Sequence, residues 1–391
     1  MTTYDPTGPD ALADPHVGNR WLLDHCPVHQ HDEMGFYTVS KHADVLEVAR
    51  TTERFTAAFG QGPVTRPNGG LFNDPPEHTM FRRMVLAWFT ARRMEAQRPI
   101  ITSLANGLID TMIAGGTGTG EIHEDLACPL PVILIARLLG VAEQDRDRFK
   151  VWSDAQVLAM GRADASNRQT QQEMHEYLLA GIRSRRELIA SGQPLPDDLI
   201  SGIVAAADEQ VRPITEAELL GILAQLLVGG NETTTSLITN CIWRLLERRE
   251  LWEQVVADPY LCDVAVEESL RFDAPVLGLF RAAACPVELH GTSIPEGARV
   301  QMNYAAANRD GAVFSDPDTF RLDRPLADLK RQQVAFGSGV HFCLGANLAR
   351  YEAVISLRAL VERLPTLRLA GPTERIAPWF LWGRHRLPVA W

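Results

Sequence analysis

The sequence has few cysteines, and no two of them are close enough to form a common motif. The six cysteines in 391 residues include no Cys-x-x-Cys pair, so neither a disulfide framework nor a zinc ribbon is indicated. His25, Cys26, His29 and His31 superficially suggest metal ligands. Their spacing matches no zinc pattern, however, and the segment leads into a predicted strand at 35–39. Cysteine pairing is therefore not expected to shape the fold.

The sequence also lacks excess positive charge, long apolar runs and linkers. The formal net charge of -11 disfavours nucleic acid as a partner, because phosphate binding needs clustered positive charge. The apolar runs are too short for a membrane span, and the first residues show no signal peptide, so we expect a cytoplasmic protein without membrane contact. With 46% hydrophobic and 22% charged residues and no Pro/Gly/Ser-rich linker, residues 1–391 are expected to form one domain.

A glycine-rich stretch near the C-terminus provides the clearest functional signal. Residues 336–345 read Phe-Gly-Ser-Gly-Val-His-Phe-Cys-Leu-Gly. Two glycines in three residues favour a tight loop, and the apolar-periodic run behind it predicts a helix. Cys343 would then lie at a helix start, where free N–H groups and the helix dipole stabilise a thiolate and favour a metal ligand. The alternative is a buried cysteine that acts as a small apolar residue.

This stretch resembles the cysteine-ligand loop of the cytochrome P450 family, the haem-thiolate monooxygenases. The chain is similar to the soluble bacterial members of that family, such as the camphor-hydroxylating member. The resemblance implies that Cys343 is the axial ligand of haem b iron, that His341 hydrogen-bonds a haem propionate and that Phe336 packs near the sulfur. The implied fold is mainly α with a small β portion, and it encloses the haem between a long central helix and the cysteine loop. The matching positions are Phe336, Gly337, Gly339, His341, Cys343 and Gly345. Of these, the implied cofactor-binding residues are Phe336, His341, Cys343 and Gly345.

The central helix is predicted from a capping box at 215–218 and an apolar period that continues toward Arg248. Some thirty residues would span roughly 45 Å. In its middle, residues 227–235 read Leu-Val-Gly-Gly-Asn-Glu-Thr-Thr-Thr, and each glycine costs about 1 kcal/mol relative to alanine in a helix. One interpretation is a kink or close packing against a neighbour. The other is a groove, because glycine admits a flat cofactor and threonine side chains that bond back to the preceding turn distort the helix.

The same stretch resembles the family's Ala/Gly-Gly-x-Asp/Glu-Thr motif. Gly229, Gly230, Glu232 and Thr233 occupy the matching positions. The resemblance implies that the two glycines lie against the haem and that Glu232 brings protons in from solvent. It also implies that Thr233 hydrogen-bonds bound dioxygen, so that one oxygen atom leaves as water.

Two further stretches resemble haem-propionate sites. Residues 73–79 predict a helix start with Asp74 as the cap. His78 and Arg82 lie four residues apart on one helical face and, taken alone, could be a solvated surface pair. In the family's Asp-Pro-Pro-Glu-His-x-x-x-Arg stretch the matching residues bind propionates, since a buried dianion needs cationic donors. Arg281 matches the arginine of the family's propionate-binding strand.

An acid and a base three residues apart, Glu268 and Arg271, match the family's Glu-x-x-Arg motif. Alone, such a pair on a helix is usually a surface ion pair of small worth. In the family its partner comes from a later loop, and Arg324 is the candidate here. The resemblance therefore implies that the three side chains have a structural role and fix the loop that presents Cys343.

The resemblance also implies a substrate pocket with an apolar lining. The irregular segment 56–72 would overlie it, as in the family. Phe380 and Leu381 are candidates for the lining of this pocket, and the alternative for both is an ordinary role in the hydrophobic core. An apolar lining suggests a small-to-medium hydrophobic substrate, such as a terpenoid, a steroid or an aromatic compound. The candidate lining residues are Leu226, Gly229, Leu277, Leu279, Phe380 and Leu381.

The implied reaction is insertion of one atom of O2 into a C–H or C=C bond. The sequence shows no Gly-x-Gly-x-x-Gly fingerprint for a flavin or nicotinamide, so the electrons are expected from a separate protein. Basic residues near the cysteine side favour an acidic iron-sulfur ferredoxin, with its reductase, as the donor. The alternatives are a hydrogen-peroxide-driven peroxygenase and a non-catalytic haem sensor or binding protein. The basic residues are Arg83, Arg92, Arg93, Lys330, Arg331 and Arg350.

Overall fold

Helices make up most of the protein and strands a small part, which confirms the expected fold class. The computed structural model describes residues 4–63, 70–145, 148–152, 155, 168–210 and 212–391. The α-helices in these ranges are α1 Pro9–Ala13, α2 Pro15–His25, α3 His42–Arg50, α4 Glu77–Leu86, α5 Ala91–Ala114, α6 Pro129–Leu139, α7 Arg168–Ala190, α8 Leu199–Asp208, α9 Glu216–Gly230, α10 Glu232–Glu247, α11 Arg249–Ala257, α12 Leu261–Phe272, α13 Tyr304–Ala307, α14 Leu326–Gln332 and α15 Ala346–Arg363.

The strands of the described residues form one five-stranded sheet and three smaller ones. In the larger sheet the order is β1-β2-β8-β5-β3, and β2 runs parallel to β8 while the other neighbours are antiparallel. The strands are β1 Val28–His31, β2 Phe36–Val39, β3 Phe55–Thr56, β4 Thr119–Glu121, β5 Gly278–Ala283, β6 Val287–Leu289, β7 Thr292–Ile294, β8 Arg299–Asn303, β9 Arg368–Leu369, β10 Glu374–Arg375, β11 Arg384–Arg386 and β12 Pro388–Ala390.

Two large apolar cores hold most of the described elements together. The larger core joins α5, α10 and α15, where Ile101, Leu237 and Leu360 are buried. The second core lies between one face of the five-stranded sheet and α3, and it includes Val48 and Val300. Burial of a large aliphatic side chain stabilises a fold by about 1.5–3 kcal/mol. The cysteine loop packs against α3, so the second core also supports the site.

The central helix differs from the sequence prediction, because it is two helices rather than one. α9 ends at Gly230 and α10 begins at Glu232, and the intervening Asn231 has the non-helical angles φ -97° and ψ -81°. The predicted capping box at the start of α9 is present, with Thr215 and Glu218 bonding reciprocally. The interruption falls on the Gly-Gly-Asn-Glu-Thr stretch, where helix propensity is low and side chains compete for backbone groups.

The predicted cap of α4 is wrong. Asp74 lies three residues before Glu77, the first residue of the helix, and its side chain caps nothing there. Its carboxylate instead accepts hydrogen bonds from the Thr56 hydroxyl and from the Ala57 backbone N–H, the latter at 3.0 Å. The Asp74 carboxylate therefore links the end of β3 to the residues that precede α4.

The predicted irregular segment 56–72 is described only in part. Residues 57–63 are irregular and Gly70–Phe72 form one 3-10 turn, while residues 64–69 lie outside the described part. The predicted strand at 35–39 corresponds to β2. That the chain is a single domain remains a prediction.

The fold yields two observations on membranes and metals. Of the helices in the described ranges, none is sufficiently long and apolar to span a bilayer. Among the same residues, His29 lies beside Cys26 and His31, but no group of three His, Cys, Asp or Glu side chains has the geometry of a metal site.

Candidate active site

The cysteine loop has the conformation that its glycines permit. Gly337 and Gly339 both have positive φ, at 70° and 72°. A Cβ at Gly339 would lie 2.8 Å from the Ala49 carbonyl oxygen of α3, so only glycine fits there without movement. The loop closes through a hydrogen bond from the Cys343 N–H to the Phe336 carbonyl, 3.0 Å long. Cys343 therefore stands two residues before Gly345, the N-cap of α15.

The Cys343 thiol is under opposing influences. Burial raises its pKa, while the backbone N–H groups of Gly345 and Ala346 and the charges of Arg82 and Arg350 lower it. The net direction of the pKa shift is upward, because desolvation outweighs the helix start and the two arginines. The residue nevertheless has accessible surface, as expected for a side chain that faces an interior space. A metal cation at the sulfur would deprotonate the thiol outright.

Phe336 is the first residue of the cysteine loop, and its side chain packs against two neighbouring residues. Its ring is 6.3 Å from that of Phe342, centroid to centroid, and the Arg350 guanidinium lies over it at 4.6 Å. The Arg82 side chain, which comes from α4, donates a hydrogen bond of 2.7 Å to the Phe342 carbonyl. Arg82 thus links α4 directly to the residue before Cys343.

Basic side chains converge next to this loop. The His78 and His341 rings lie 4.3 Å apart, both side chains are buried, and His341 Nε2 is 3.9 Å from the Asp74 carboxylate. Burial and the neighbouring His341 lower the pKa of His78 to about 4, and burial also lowers the pKa of His341 and of Arg281. The surface-pair interpretation of His78 is therefore wrong.

These residues fit the propionates of a haem. His78 Nδ1 and His341 Nε2 are buried and lack a hydrogen-bond partner among the described residues. Buried polar atoms without partners are costly, and a dianionic group would satisfy them. With Arg82 and Arg281, the cluster offers cationic donors against one acid, Asp74. The Cys343 thiol, the cluster of basic side chains and the glycine turn of the cysteine loop together match the binding site of a haem with a cysteine ligand.

At the helix interruption, a threonine side chain bonds back to the preceding turn. The Thr233 hydroxyl donates a 2.9 Å hydrogen bond to the carbonyl of Gly229, one turn back. A Cβ at Gly229 would meet no atom of the described residues within 4 Å, and one at Gly230 would touch only Ile135, at 3.5 Å. The backbone at Gly229 is therefore accessible to a flat ligand. Glu232 is the first residue of α10 and is half-buried.

The structure brings Glu268, Arg271 and Arg324 together. Arg271 donates two hydrogen bonds of 2.7 Å to the Glu268 carboxylate, and Arg324 donates a third of 3.1 Å. Glu268 and Arg271 are fully buried rather than at the surface. Arg271 also donates to the carbonyls of Asn308 and Pro317, at 3.1 and 2.8 Å, and so holds the chain before α14.

The predicted pocket residues occupy several environments. Leu226, which lies on α9, belongs to the large core, while Phe380 and Leu381 form a small cluster with Ile376. Leu277 is buried beside Trp382, and Leu279 packs against the core of the five-stranded sheet. Leu279 and Arg281 share one face of β5, because side chains alternate along a strand.

Two buried polar residues, Tyr304 and Asp273, were not singled out by the sequence analysis. Tyr304 is buried close to Arg281 and Cys343, and burial raises the pKa of its hydroxyl. Asp273 is fully buried and accepts hydrogen bonds of 2.6 Å from Arg244 and 3.0 Å from Trp382. Neither lies in a recognisable motif, since their partners come from distant parts of the chain.

A mainly helical fold that sets a cysteine at a helix start, beside a buried cluster of basic side chains, defines the haem-thiolate class of proteins. The sequence model named Cytochrome P450 matches residues 141–368. The chain is 42% identical over 327 residues to the cytochrome P450 monooxygenase PikC of Streptomyces venezuelae, covering 82% of this chain and 75% of that one. The chain belongs to the cytochrome P450 family.

Further comparisons agree over nearly the full length. A steroid C26-monooxygenase of Mycolicibacterium smegmatis is 31% identical over 373 residues, which cover 95% of this chain and 91% of that protein. The crystal structure of CYP109E1 from Bacillus megaterium in complex with testosterone superposes with a TM-score of 0.86 at 31% identity, covering 98% of this chain and 99% of that one. The protein is accordingly a monooxygenase that binds haem b through a cysteine thiolate.

Proposed function

We propose that this P450 inserts one oxygen atom of O2 into a small-to-medium hydrophobic substrate, with electrons from a separate ferredoxin. Haem b, held by Cys343 and by the basic cluster around His78 and Arg281, supplies the activation of dioxygen. The chain's own contribution is to hold the substrate, exclude water and deliver protons. The observation that carries this proposal is the helix interruption, where an acid and an alcohol adjoin accessible backbone at Gly229.

The Thr233 hydroxyl has a defined donor and acceptor role. Because its proton is donated to the Gly229 carbonyl, at 2.9 Å, the hydroxyl oxygen is left with lone pairs that accept a hydrogen bond from a protonated group in the site. Glu232, one residue earlier and half-buried, is placed to exchange protons between solvent and that groove. This arrangement favours a reaction that consumes protons as well as electrons.

The relay is tested by Thr233→Ala. Loss of the hydroxyl is expected to lower product formed per electron by about tenfold or more, because correctly timed proton delivery is worth that much or more. The measurement compares NADH oxidised with product formed in the reconstituted system. Thr233→Ser, which keeps the hydroxyl, is the matched control and should stay close to the wild type. An unchanged yield in Thr233→Ala would contradict the relay.

The same variants distinguish the monooxygenase from a peroxygenase and from a haem sensor or binding protein. A peroxygenase driven by hydrogen peroxide needs no proton relay, so Thr233→Ala would then leave peroxide-supported turnover as the main activity. A haem sensor or binding protein would show no turnover with either oxidant. The Glu232-Thr233 pair at the interruption supports the O2-dependent reaction over both.

The substrate class is proposed from the apolar lining and from the relatives. Leu226, Leu277 and Phe380 are apolar and buried. The matched proteins include steroid C26-monooxygenases, a pentalenic acid synthase, and a structure that holds testosterone. We expect a terpenoid, a steroid or an aromatic compound of comparable size.

An optical titration of the ferric protein tests this expectation. Terpenoids, steroids and small aromatics are added in turn, and the Soret band reports displacement of the water on the iron. A shift with one of these classes is the expected result. No shift with any of them, in protein that retains haem, would contradict the hydrophobic-substrate proposal.

The electron donor is proposed from surface charge. Arg83, Arg92 and Lys330 are exposed, and an acidic ferredoxin would complement them. Arg93 is also exposed, but it stacks over Trp88 at 4.0 Å. Arg331 is exposed and ion-paired with Asp328 at 2.7 Å.

Arg350 is an exception to this surface. It is only partly exposed, it forms an ion pair with the buried Glu267, and it lies over Phe336. Its inclusion among the docking charges was wrong, since a charge neutralised by an internal partner contributes little to steering. A cytoplasmic location remains a prediction from the sequence.

A further inference from the structure

An arginine that no sequence motif singled out is buried in the five-stranded sheet. Arg299, the first residue of β8, is 5% exposed. In the register of the sheet, Arg299 lies opposite Ala282, whereas Arg281 lies opposite Val300. Because side chains alternate along strands, Arg299 and Arg281 are on opposite faces. Arg299 is therefore separate from the basic cluster at the cysteine loop.

The guanidinium of Arg299 uses only part of its hydrogen-bonding capacity. Nη2 donates to the carbonyl of Gly60 at 2.9 Å and to the carbonyl of Gly62. Nε and Nη1 are buried and have no hydrogen-bond partner among the residues that the structure describes. An arginine has five N–H donors, so three remain unsatisfied on these two nitrogens. Buried donors without acceptors are costly, and a charged group is more costly still.

No acid of the described residues forms an ion pair with Arg299. Burial and the neighbouring Arg281 lower its pKa to about 10, and no carboxylate in the described part of the chain opposes them. Among the described residues, two of the four other buried arginines differ in this respect: Arg271 is paired with Glu268, and Arg309 approaches Asp273 and Asp318. A buried cation that has neither an acid nor a full set of acceptors is expected to receive an anion from outside the chain.

The surroundings of Arg299 suit an amphiphilic anion. Residues 60–62, whose carbonyls it holds, belong to the segment predicted to overlie the substrate pocket, and the Phe280 N–H donates to Gln61 of that segment at 3.0 Å. The Phe280 ring is 5.6 Å from the guanidinium and 6.4 Å from the ring of Trp379, which adjoins Phe380. Phe59, next to Gly60, exposes 41% of its surface. Apolar and aromatic groups thus lead away from the unpaired donors.

We propose that Arg299 binds the carboxylate of the substrate, so that the preferred substrates of this P450 are hydrophobic carboxylic acids. The inference rests on the proposed function and narrows its substrate class. A carboxylate oxygen would accept hydrogen bonds from Nη1 and Nε, while Nη2 keeps the segment 60–62 in place. The apolar body of the molecule would pass along Phe280 and Trp379 toward the pocket.

The test compares acids with their uncharged methyl esters in the ferric holoenzyme. The probe pairs are decanoic acid and methyl decanoate, 4-phenylbutyric acid and its methyl ester, and a steroid carboxylic acid with its methyl ester. Affinities are taken from the Soret shift and from calorimetry at neutral pH. In the wild type at least one acid is expected to bind about tenfold or more tightly than its ester, as a hydrogen bond to a charged group implies.

Arg299→Gln should abolish that preference, with the acid losing about tenfold or more and the ester changing little. Arg249→Gln is the control: this arginine also donates to a carbonyl, that of Leu367 at 2.8 Å, and its removal changes the net charge equally. It should leave the preference intact.

The outcomes are distinguishable. Equal binding of acid and ester in every pair, or an unchanged preference in Arg299→Gln, overturns this inference and leaves the monooxygenase proposal standing. Equal losses for acid and ester in Arg299→Gln would assign Arg299 to the support of segment 60–62 alone and so overturn the carboxylate site. No response to any acid or ester would overturn the inference and the proposed hydrophobic pocket together.

Discussion

His31 illustrates how a single buried side chain makes stability depend on pH. It lies in β1, 6% exposed, and its Nε2 is 2.9 Å from the Thr38 hydroxyl. That hydroxyl donates its proton to the Gln301 side chain, also at 2.9 Å, so it must accept from His31. Nε2 of the imidazole therefore carries a proton. Burial and the adjacent His29 lower the pKa of His31 from 6.5 to about 3.

The sign of the resulting pH dependence follows from proton counting. Between pH 6.5 and pH 3 the unfolded chain binds a proton at this residue and the folded chain does not. The contribution of neutral His31 to stability is therefore complete above pH 6.5 and declines as the pH falls. His31→Gln, which retains a donor toward Thr38, should lose less stability than the wild type between pH 7.5 and pH 5. Urea unfolding at both pH values measures this, and parallel losses would contradict it.

At the scale of an element, the Glu268 cluster fastens α12 to the chain ahead of α14. The carboxylate accepts from two arginines and from the Arg321 backbone N–H at 3.0 Å. Arg271 in turn holds three carbonyls of the segment 308–319. A buried ion pair adds little over an apolar alternative, but removal of one partner leaves charges without compensation.

Glu268→Gln is accordingly expected to destabilise the protein by about 3–5 kcal/mol, because Arg271 and Arg324 would stay buried without an anion. Denaturant unfolding measures the loss, and the haem content of the purified variant reports whether the cysteine loop is still held. Glu250→Gln is the control, since Glu250 pairs with Arg248 at the surface and its loss should not be measurable. A stable Glu268→Gln protein with full haem content would exclude the proposed structural role.

The start of the central helix and its interruption depend on different interactions. Its beginning follows from Thr215 and Glu218, three residues apart, whose reciprocal bonds need only local geometry. Its interruption at Asn231 was not predicted as a break, although a threonine side chain that bonds back to the preceding turn was suggested, and Thr233 bonds to Gly229. Beyond the break, Thr235 donates to the Ala127 carbonyl at 3.0 Å and so links α10 to the segment before α6.

At the scale of the whole molecule, a buried network joins the N-terminal helices to the C-terminal strands. Asp273, which follows α12, accepts from Arg244 and Trp382, and its carboxylate lies 3.4 Å from His16 on α2. Burial pushes the pKa of Asp273 upward, but Arg244 and His16 outweigh it and hold the pKa well below its usual range. One carboxylate thus ties together elements separated by most of the chain.

Surface charge is also a property of the whole molecule, and it governs the approach of the electron donor. Arg83→Glu and Lys330→Glu should each slow reduction by an acidic ferredoxin about two- to tenfold at low ionic strength, with the effect vanishing at high salt. Stopped-flow reduction measures the rate. Arg368→Glu, which reverses an exposed charge on β9, is the control and should have no effect. Equal rates in all variants at low salt would contradict docking at this surface.

The sequence by itself determined the family, the fold class and the local signals. The glycines at 337 and 339, the capping box at 215–218 and the four-residue spacing of His78 and Arg82 depend on neighbours along the chain. Backbone conformation, helix caps and helical faces are set over a few residues, so a pattern in the sequence predicts them.

Only the tertiary structure decided which polar groups meet. It placed Asp74 against Thr56 instead of the helix N-terminus, paired Arg350 with Glu267 and buried Asp273 beside Arg244. It also left Arg299 near the segment 60–62 with donors that no described residue satisfies. These pairings join residues far apart in the chain, and the cost of burying a charge depends on what surrounds it in three dimensions. A sequence pattern does not contain that environment.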